Sequence, residues 1–352
     1  MQWDVFCRVI DNYGDIGVCW RLAADLGARG QAVRLWVDDP SALAWMAPEG
    51  APNVRWAPWP GDDSAPEPAD VVIEAFGCDP PASFVQRMAA RATPPWWINL
   101  EYLSAEGYVQ RSHGLRSPQL SGPGRGLEKW FFYPGFTAAT GGLLREAGLL
   151  QARQRFDRVA WLRSRGIAPQ PGEQVLSLFC YEDAPVASLL KALAGRPALL
   201  LRTPGAAARA WQAAGGDAAC PPGVRSLELT WLPQTEFDHL LWACDLNFVR
   251  GEDSFVRAQW AGAPFVWQIY PQQDRAHAAK LQAFLDLFLQ GADAALTRSL
   301  PPLWQAWNGL AQGPLVLPDH PSWAAQALRW RTLLLAQPDL GSQLIGFVAG
   351  KR

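Results

Sequence analysis

Apolar residues in this chain come in short runs separated by amphipathic stretches, and the alternation continues almost from end to end. Trp3–Ile10 reads as a strand buried on both faces, followed by a glycine-containing loop. From Val18 to Ala28 the apolar positions recur at helical spacing, and the helix stops near Gly30. Val33–Val37, Val71–Phe76 and Trp96–Leu100 repeat the strand pattern, with a helix over Ala82–Ala90 between the last two. Strands this short and apolar, alternating with helices, predict parallel sheets covered on both faces.

Ser104–Gly126 breaks the pattern with Gly107, Gly114, Pro118, Gly122, Pro123, Gly124 and Gly126, and predicts a long loop. A helical segment over Leu149–Arg165 and a break at Pro169–Gly172 lead into a second series. Its expected strands are Val175–Tyr181, Ala198–Arg202, Leu227–Leu232, Leu246–Arg250 and Pro264–Ile269. Helices are expected at Pro185–Ala194, Ala206–Ala214, Thr235–Ala243 and Ser254–Ala261, and from Arg275 onward the tail is helical and Trp-rich. The pattern therefore predicts two α/β domains, 1–160 and 161–352, with the final helices able to pack back on the first. Open parallel sheets bind ligands at the carboxyl ends of their strands, so the expected site is an interdomain cleft.

Composition then removes whole classes. With 31 Lys+Arg against 33 Asp+Glu, the formal charge is -2 over 352 residues, which lacks the basic footprint of a sequence-independent nucleic-acid binder. A chain that is 49% hydrophobic and carries 19 Trp is not disordered, and no apolar run approaches the ~20 residues of a membrane span. MQWDVFCRVI reads as a first strand and not as a signal peptide. Cys7, Cys19, Cys78, Cys180, Cys220 and Cys244 show no CxxC or paired spacing, and the four histidines are equally dispersed. Core thiols, no metal site and a reducing cytoplasm are the expectation.

Two strand-end motifs carry the candidate chemistry. In Ile10-Asp11-Asn12-Tyr13-Gly14-Asp15-Ile16-Gly17 the position is that of a dinucleotide fingerprint, but the three required glycines are missing and two carboxylates are present. Acids there would repel a pyrophosphate. Asp11 and Asp15, with Gly14 permitting a tight turn between them, suit general-base work or a cationic acceptor. A helix cap at Asp15 and a turn residue at Asp11 would explain the same letters. In Arg250-Gly251-Glu252-Asp253-Ser254-Phe255, Gly251 allows close backbone approach and the opening helix offers an anion cradle. Arg250 adds a cation for phosphate, and Glu252 suits a sugar hydroxyl. Capping by Asp253 or Ser254 is the plainer alternative. Phe179-Cys180-Tyr181-Glu182 and Trp231-Leu232-Pro233-Gln234 end two further strands, where a ring can stack on a base and an amide can read its edge. Neither a P-loop nor a GxSxG elbow is present.

FCRVIDNYGDIGVCWRLAADL and VRGEDSFVRAQWAGAPFVWQIYPQ, supported by FCYE and WLPQ, resemble the EarP family of bacterial protein-arginine rhamnosyltransferases over the whole chain. The resemblance implies the GT-B glycosyltransferase architecture, two facing Rossmann-like domains with an interdomain cleft. The N-terminal domain would bind the acceptor and the C-terminal one the nucleotide sugar. It implies inverting transfer of L-rhamnose from dTDP-β-L-rhamnose to one arginine of translation elongation factor P, in support of translation through consecutive prolines. No metal or other cofactor, no nucleic acid and no membrane partner is implied. Asp15 falls at the catalytic acid/base, Asp11 beside it on the acceptor guanidinium, and Glu252 at catalysis or sugar orientation. Asp253 and Ser254 fall around the diphosphate and sugar, and Arg250 beside the diphosphate. Trp231 stands where the family often has Phe against thymine, and Phe179, Tyr181 and Gln234 complete the nucleotide pocket. Tyr13, Gly14, Gly17 and Gly251 are the remaining motif positions assigned to donor binding. A GT-B enzyme with another acceptor, or a non-catalytic sugar-nucleotide-binding partner protein, are the competing readings. A dinucleotide oxidoreductase fails on the missing glycines.

Overall fold

Strands buried on both faces must be covered by crossover helices, and the central strands of both sheets are built that way. The computed structural model describes residues 1–10, 13–61, 66–271 and 276–350. Strands β1 (Gln2–Cys7), β2 (Ala32–Val37), β3 (Val54–Pro58), β4 (Val71–Ala75), β5 (Trp96–Leu100), β6 (Arg116–Pro118) and β7 (Glu128–Phe132) form one sheet in the order β3-β2-β1-β4-β5-β7-β6. Only the β6–β7 pairing is antiparallel among them. Strands β8 (Gln174–Leu178), β9 (Ala198–Arg202), β10 (Val224–Glu228), β11 (Leu246–Arg250) and β12 (Phe265–Gln268) form the second, all-parallel sheet in the order β10-β9-β8-β11-β12.

The first sheet's helices are α1 (Gly14–Ala28), α2 (Leu43–Met46), α3 (Ala82–Ala90) and α4 (Gly107–Ser112). The next series is α5 (Leu149–Arg155), α6 (Arg158–Ser164), α7 (Val186–Ala192), α8 (Ala206–Ala213), α9 (Gln234–Ala243) and α10 (Asp253–Ala261). The chain closes with α11 (Ala276–Phe288), α12 (Ala294–Trp307), α13 (His320–Leu335) and α14 (Leu340–Ala349).

The polypeptide divides into two compact units, Met1–Ala147 with Ala336–Arg352, and Gly148–Leu335. In the first, α14 rejoins the β1–α1 layer, with Leu340, Leu344 and Val348 buried among Val5, Leu22 and Leu26. The return is pinned where Arg29 bonds Asp339 at 2.7 Å and Asp25 at 2.9 Å. Asp4, fully buried on β1, is satisfied by Arg34, the Trp36 indole N–H and the Ala69 amide. A groove of about 470 Å³ opens at the amino ends of β1–β3, lined by this committed pair with Asn53 and Arg55. In the second unit, Phe255 stacks on Trp267 at 3.9 Å, and Phe284 meets Trp304 and Trp330. Asp238 and Arg257, both buried, pair side by side at 2.9 and 2.6 Å.

Several elements depart from the sequence pattern. β3 is an edge strand with three of its five residues exposed, so it presents no apolar run. β7 ends in the apolar run Trp130–Tyr133, which the sequence pattern does not assign as a strand, and buries one residue, Phe132. The expected loop at Ser104–Gly126 contains α4 and β6. β8 ends at Leu178 and β10 at Glu228, so Phe179–Glu182 and Trp231–Pro233 lie on loops past the strand ends, and Gln234 opens α9. Helix α1 starts at Gly14, four residues before its apolar periodicity begins.

Candidate active site

Both sheets run outward from a central first strand, β1 in one and β8 in the other, and so each has a point where consecutive connections turn in opposite directions. Loops leave the sheet on either side of such a point and open a crevice at the carboxyl ends. The two candidate motifs follow β1 and β11, which border the two crevices.

In the first unit, Asp11 and Asn12 lie outside the described residues. Tyr13 occupies the cap position of α1 without a side-chain cap bond, and Asp15 sits in the helix's first turn. Asp15 is therefore not the N-cap residue. Gly17 is buried and donates its N–H to the Tyr13 carbonyl at 3.0 Å. Gly14 is not in the left-handed region and a Cβ there would meet nothing within 4 Å, so the turn does not depend on glycine as the sequence suggested. Tyr13 is exposed and set edge-on to Trp45 at 5.7 Å. Across the crevice, the Tyr102 hydroxyl donates to Asp15 Oδ1 at 3.4 Å, and the Tyr102 ring lies flat on Phe76 at 4.3 Å.

In the second unit, alternation after β8 turns Cys180 inward and the rings of Phe179 and Tyr181 outward. Burial pushes the Cys180 thiol up to about 12, so it is inert packing. Arg250, at the end of β11, places its guanidinium 4.7 Å from the Phe179 ring and 4.6 Å from the Tyr181 ring. Burial lowers its pKa, and the nearby Arg209 lowers it further. Among the described residues no carboxylate is paired with it. Its backbone is clamped by Ser254, whose Oγ donates to the Arg250 carbonyl at 2.5 Å and accepts its N–H at 3.1 Å. The Ser254 hydroxyl proton is thus spent inside the protein, and what Ser254 offers a ligand is its main-chain amide.

Gly251 has φ +66°, a left-handed backbone that favours glycine, and a Cβ there would crowd the Tyr181 hydroxyl at 3.3 Å. Glu252 holds the cap position of α10 without a side-chain cap bond, and Asp253 is in the first turn. First-turn amides lack partners within their own helix and point along the axis at whatever stands before it. The capping alternative for Asp253 or Ser254 is not what the structure shows. Trp231 is 52% exposed and lies over Gly205, whose Cβ would be 3.3 Å from the indole. Gln234, the first residue of α9, is buried, and Phe237 of that helix meets Phe179 at 5.2 Å.

The contacts thus gather Phe179, Tyr181, Arg250, Gly251 and Ser254 into one cluster, with Phe237 of α9 against Phe179; Trp231 lies on the loop before that helix and Gln234 at its first position. Sequence reasoning missed Gln268, buried at the end of β12. Its side-chain oxygen accepts the Tyr181 N–H at 2.8 Å, its carbonyl accepts the Gly251 N–H at 3.2 Å, and its amide donates to Asp183. It also missed Phe76 and Tyr102. All three stand at or just past a strand's carboxyl end, the rule that found the others. Among the described residues, no three His, Cys, Asp or Glu side chains come together as metal ligands, and no helix is long and apolar enough to cross a membrane.

Residues 3–349 match the family described as Elongation-Factor P (EF-P) rhamnosyltransferase EarP. A protein-arginine rhamnosyltransferase of Pseudomonas aeruginosa is 44% identical over 375 residues, covering 99% of each chain. A solved structure concerned with EarP-mediated arginine glycosylation of translation elongation factor EF-P aligns with TM-score 0.67 and 33% identity, over 100% of this chain and 99% of that one. The glycosyltransferase VinC, solved with dTDP, aligns with TM-score 0.52 at 16% identity over 99% of both chains, a likeness of fold. The chain belongs to the EarP family, and its architecture is that of the GT-B glycosyltransferases.

Proposed function

We propose that this EarP-family protein transfers L-rhamnose from dTDP-β-L-rhamnose to an arginine side chain of elongation factor P, with inversion at the anomeric carbon, in the cytoplasm. One observation carries the donor side. Arg250 is a half-buried cation with no carboxylate paired to it among the described residues, held between two rings beside the start of α10. Such a cation next to a helix N-terminus is arranged for an anion, and a diphosphate supplies the charge. Trp231 offers the flat surface for thymine.

A guanidinium is a poor nucleophile because it is protonated and its lone pairs are delocalised. The Asp15 carboxylate takes its proton as the new bond from nitrogen to the anomeric carbon forms on the face opposite the leaving group. The bond from that carbon to the diphosphate oxygen breaks, and its electron pair leaves with dTDP. Arg250 and the first-turn amides of α10 meet that growing charge, which stabilises the transition state more than the ground state. Glu252 is assigned to orienting the sugar, and Asp11 to holding the acceptor beside Asp15.

The test is direct. Unmodified elongation factor P, incubated with the protein and dTDP-rhamnose, gains the mass of one deoxyhexosyl group on an arginine. Asp15→Asn loses this transfer while still binding dTDP. An unchanged mass with the wild-type protein refutes the acceptor, and normal turnover by Asp15→Asn refutes the base.

A further inference from the structure

The loop following β4 is strained in a way the proposed reaction does not yet use. Phe76 has φ +58° and Asp79 φ +48°, with Gly77 between them at +64°. For residues with a side chain this conformation costs about 1–2 kcal/mol each. Outliers of this kind persist only where the surroundings hold them, and they gather at functional sites. Here the end of β5 holds Phe76 and Gly77. The Phe76 N–H donates to the Leu100 carbonyl at 2.7 Å, and the Gly77 N–H to Asn99 Oδ1 at 3.2 Å. Asn99 is itself oriented by the hydrogen bond its side-chain Nδ2 donates to Glu101 Oε1 at 2.8 Å.

The held conformation lays the Phe76 ring parallel to Tyr102, 12° from coplanar. Tyr102 is 43% exposed, and an exposed side chain of its kind is ordinarily free to change rotamer. Stacking removes that freedom and leaves the hydroxyl at Asp15 Oδ1. The loop after β4 thus steadies the loop after β5, which brings Tyr102 to the Asp15 carboxylate in the first turn of α1.

We propose that Tyr102 is a positioning residue, holding the Asp15 carboxylate in one orientation before the acceptor guanidinium arrives, with Phe76 as its platform. The inference rests on the reading of Asp15 as the proton acceptor. Fixing the acid in advance removes an ordering cost from the chemical step and leaves substrate affinity alone. The proton donated to Asp15 stays on the tyrosine throughout, and no bond to Tyr102 is made or broken.

Tyr102→Phe keeps the stack and removes the hydroxyl. With elongation factor P and dTDP-rhamnose, kcat falls about tenfold, both KM values stay within about twofold of wild type, and thermal stability is unchanged. Phe76→Gly removes the platform, so kcat falls similarly; it relaxes the strained backbone but also strips a ring packed against the core, so thermal stability falls as well and the stability criterion is read on Tyr102→Phe alone. Wild-type kcat in Tyr102→Phe overturns the proposal, as does a loss shared among kcat, both KM values and thermal stability, which marks mere packing. Asp15→Asn separates the two ideas. If it is inactive while Tyr102→Phe is normal, only the positioning role fails; if it is fully active, the base reading fails first.

Discussion

Replacing Arg250 with Met separates a ligand-binding cation from a packing one, because the two roles predict opposite balances. Met keeps most of the stem between Phe179 and Tyr181 and removes the charge. In the free protein two effects oppose. The guanidinium's contacts with the two rings, at 4.7 and 4.6 Å, contribute about 0.5–1 kcal/mol each at a partly exposed site. Against them stands the burial of a cation with no carboxylate paired to it among the described residues, the burial that lowers its pKa. The expected net change is within about 1 kcal/mol, or roughly 2–4 °C in the melting of a unit this size.

The balance tips when the diphosphate is bound. A charge-assisted hydrogen bond contributes about 1.5–3 kcal/mol, so dTDP should bind roughly 10- to 150-fold more weakly to Arg250→Met. Titration calorimetry with dTDP gives the affinity, and a melting curve without nucleotide gives the stability. Arg250→Lys restores charge without the planar fork and should fall between. If Arg250→Met lowers the melting temperature by well over 4 °C while dTDP affinity stays within threefold, Arg250 is a strut and the anion-site reasoning is wrong.

Trp231→Ala should weaken dTDP binding by about 1–3 kcal/mol, the usual worth of a base–aromatic stack, while Trp231→Phe retains most of the affinity; equal loss in both variants argues against stacking. Asp238→Ala removes the buried carboxylate paired with Arg257 and should cost about 3–5 kcal/mol, measured by urea denaturation. Replacing the pair together by Leu and Met should recover much of that loss, and no recovery would show that packing at these positions, not the lost ion pair, dominates. Burial raises Asp25 to about 6 despite Arg29, with Glu146 and Asp339 raising it further. A carboxyl whose folded pKa exceeds its unfolded value of 3.8 binds its proton more tightly in the native state. Its contribution to stability is therefore greatest below pH 3.8 and falls as pH rises towards 6. Asp25→Asn should gain on wild type across that window by up to about 3 kcal/mol, and a difference independent of pH would refute the assignment.

The local letters of the chain carried a great deal. Runs such as Val71–Phe76 and Leu246–Arg250 are apolar because both sheet faces are covered, and that requirement is written in consecutive residues. The same holds for the motifs around Asp15 and Arg250, whose strand–loop–helix setting could be read without coordinates. Elements without an apolar signature were invisible. β3 is an exposed edge, and the three-residue β6 has no buried residue. Only the tertiary structure decided which strand ends became neighbours. Strand order is set by crossovers that leave no trace in local periodicity, and it brings Tyr102 to Asp15, 87 positions away, and Gln268 to Tyr181 at the same separation. It also decided that Arg250 lies between two rings with no carboxylate paired to it among the described residues, because a side chain's partners depend on packing and not on spacing. The sequence by itself determined the fold class and the chemistry available. The packing determined which atoms hold each reactive group still.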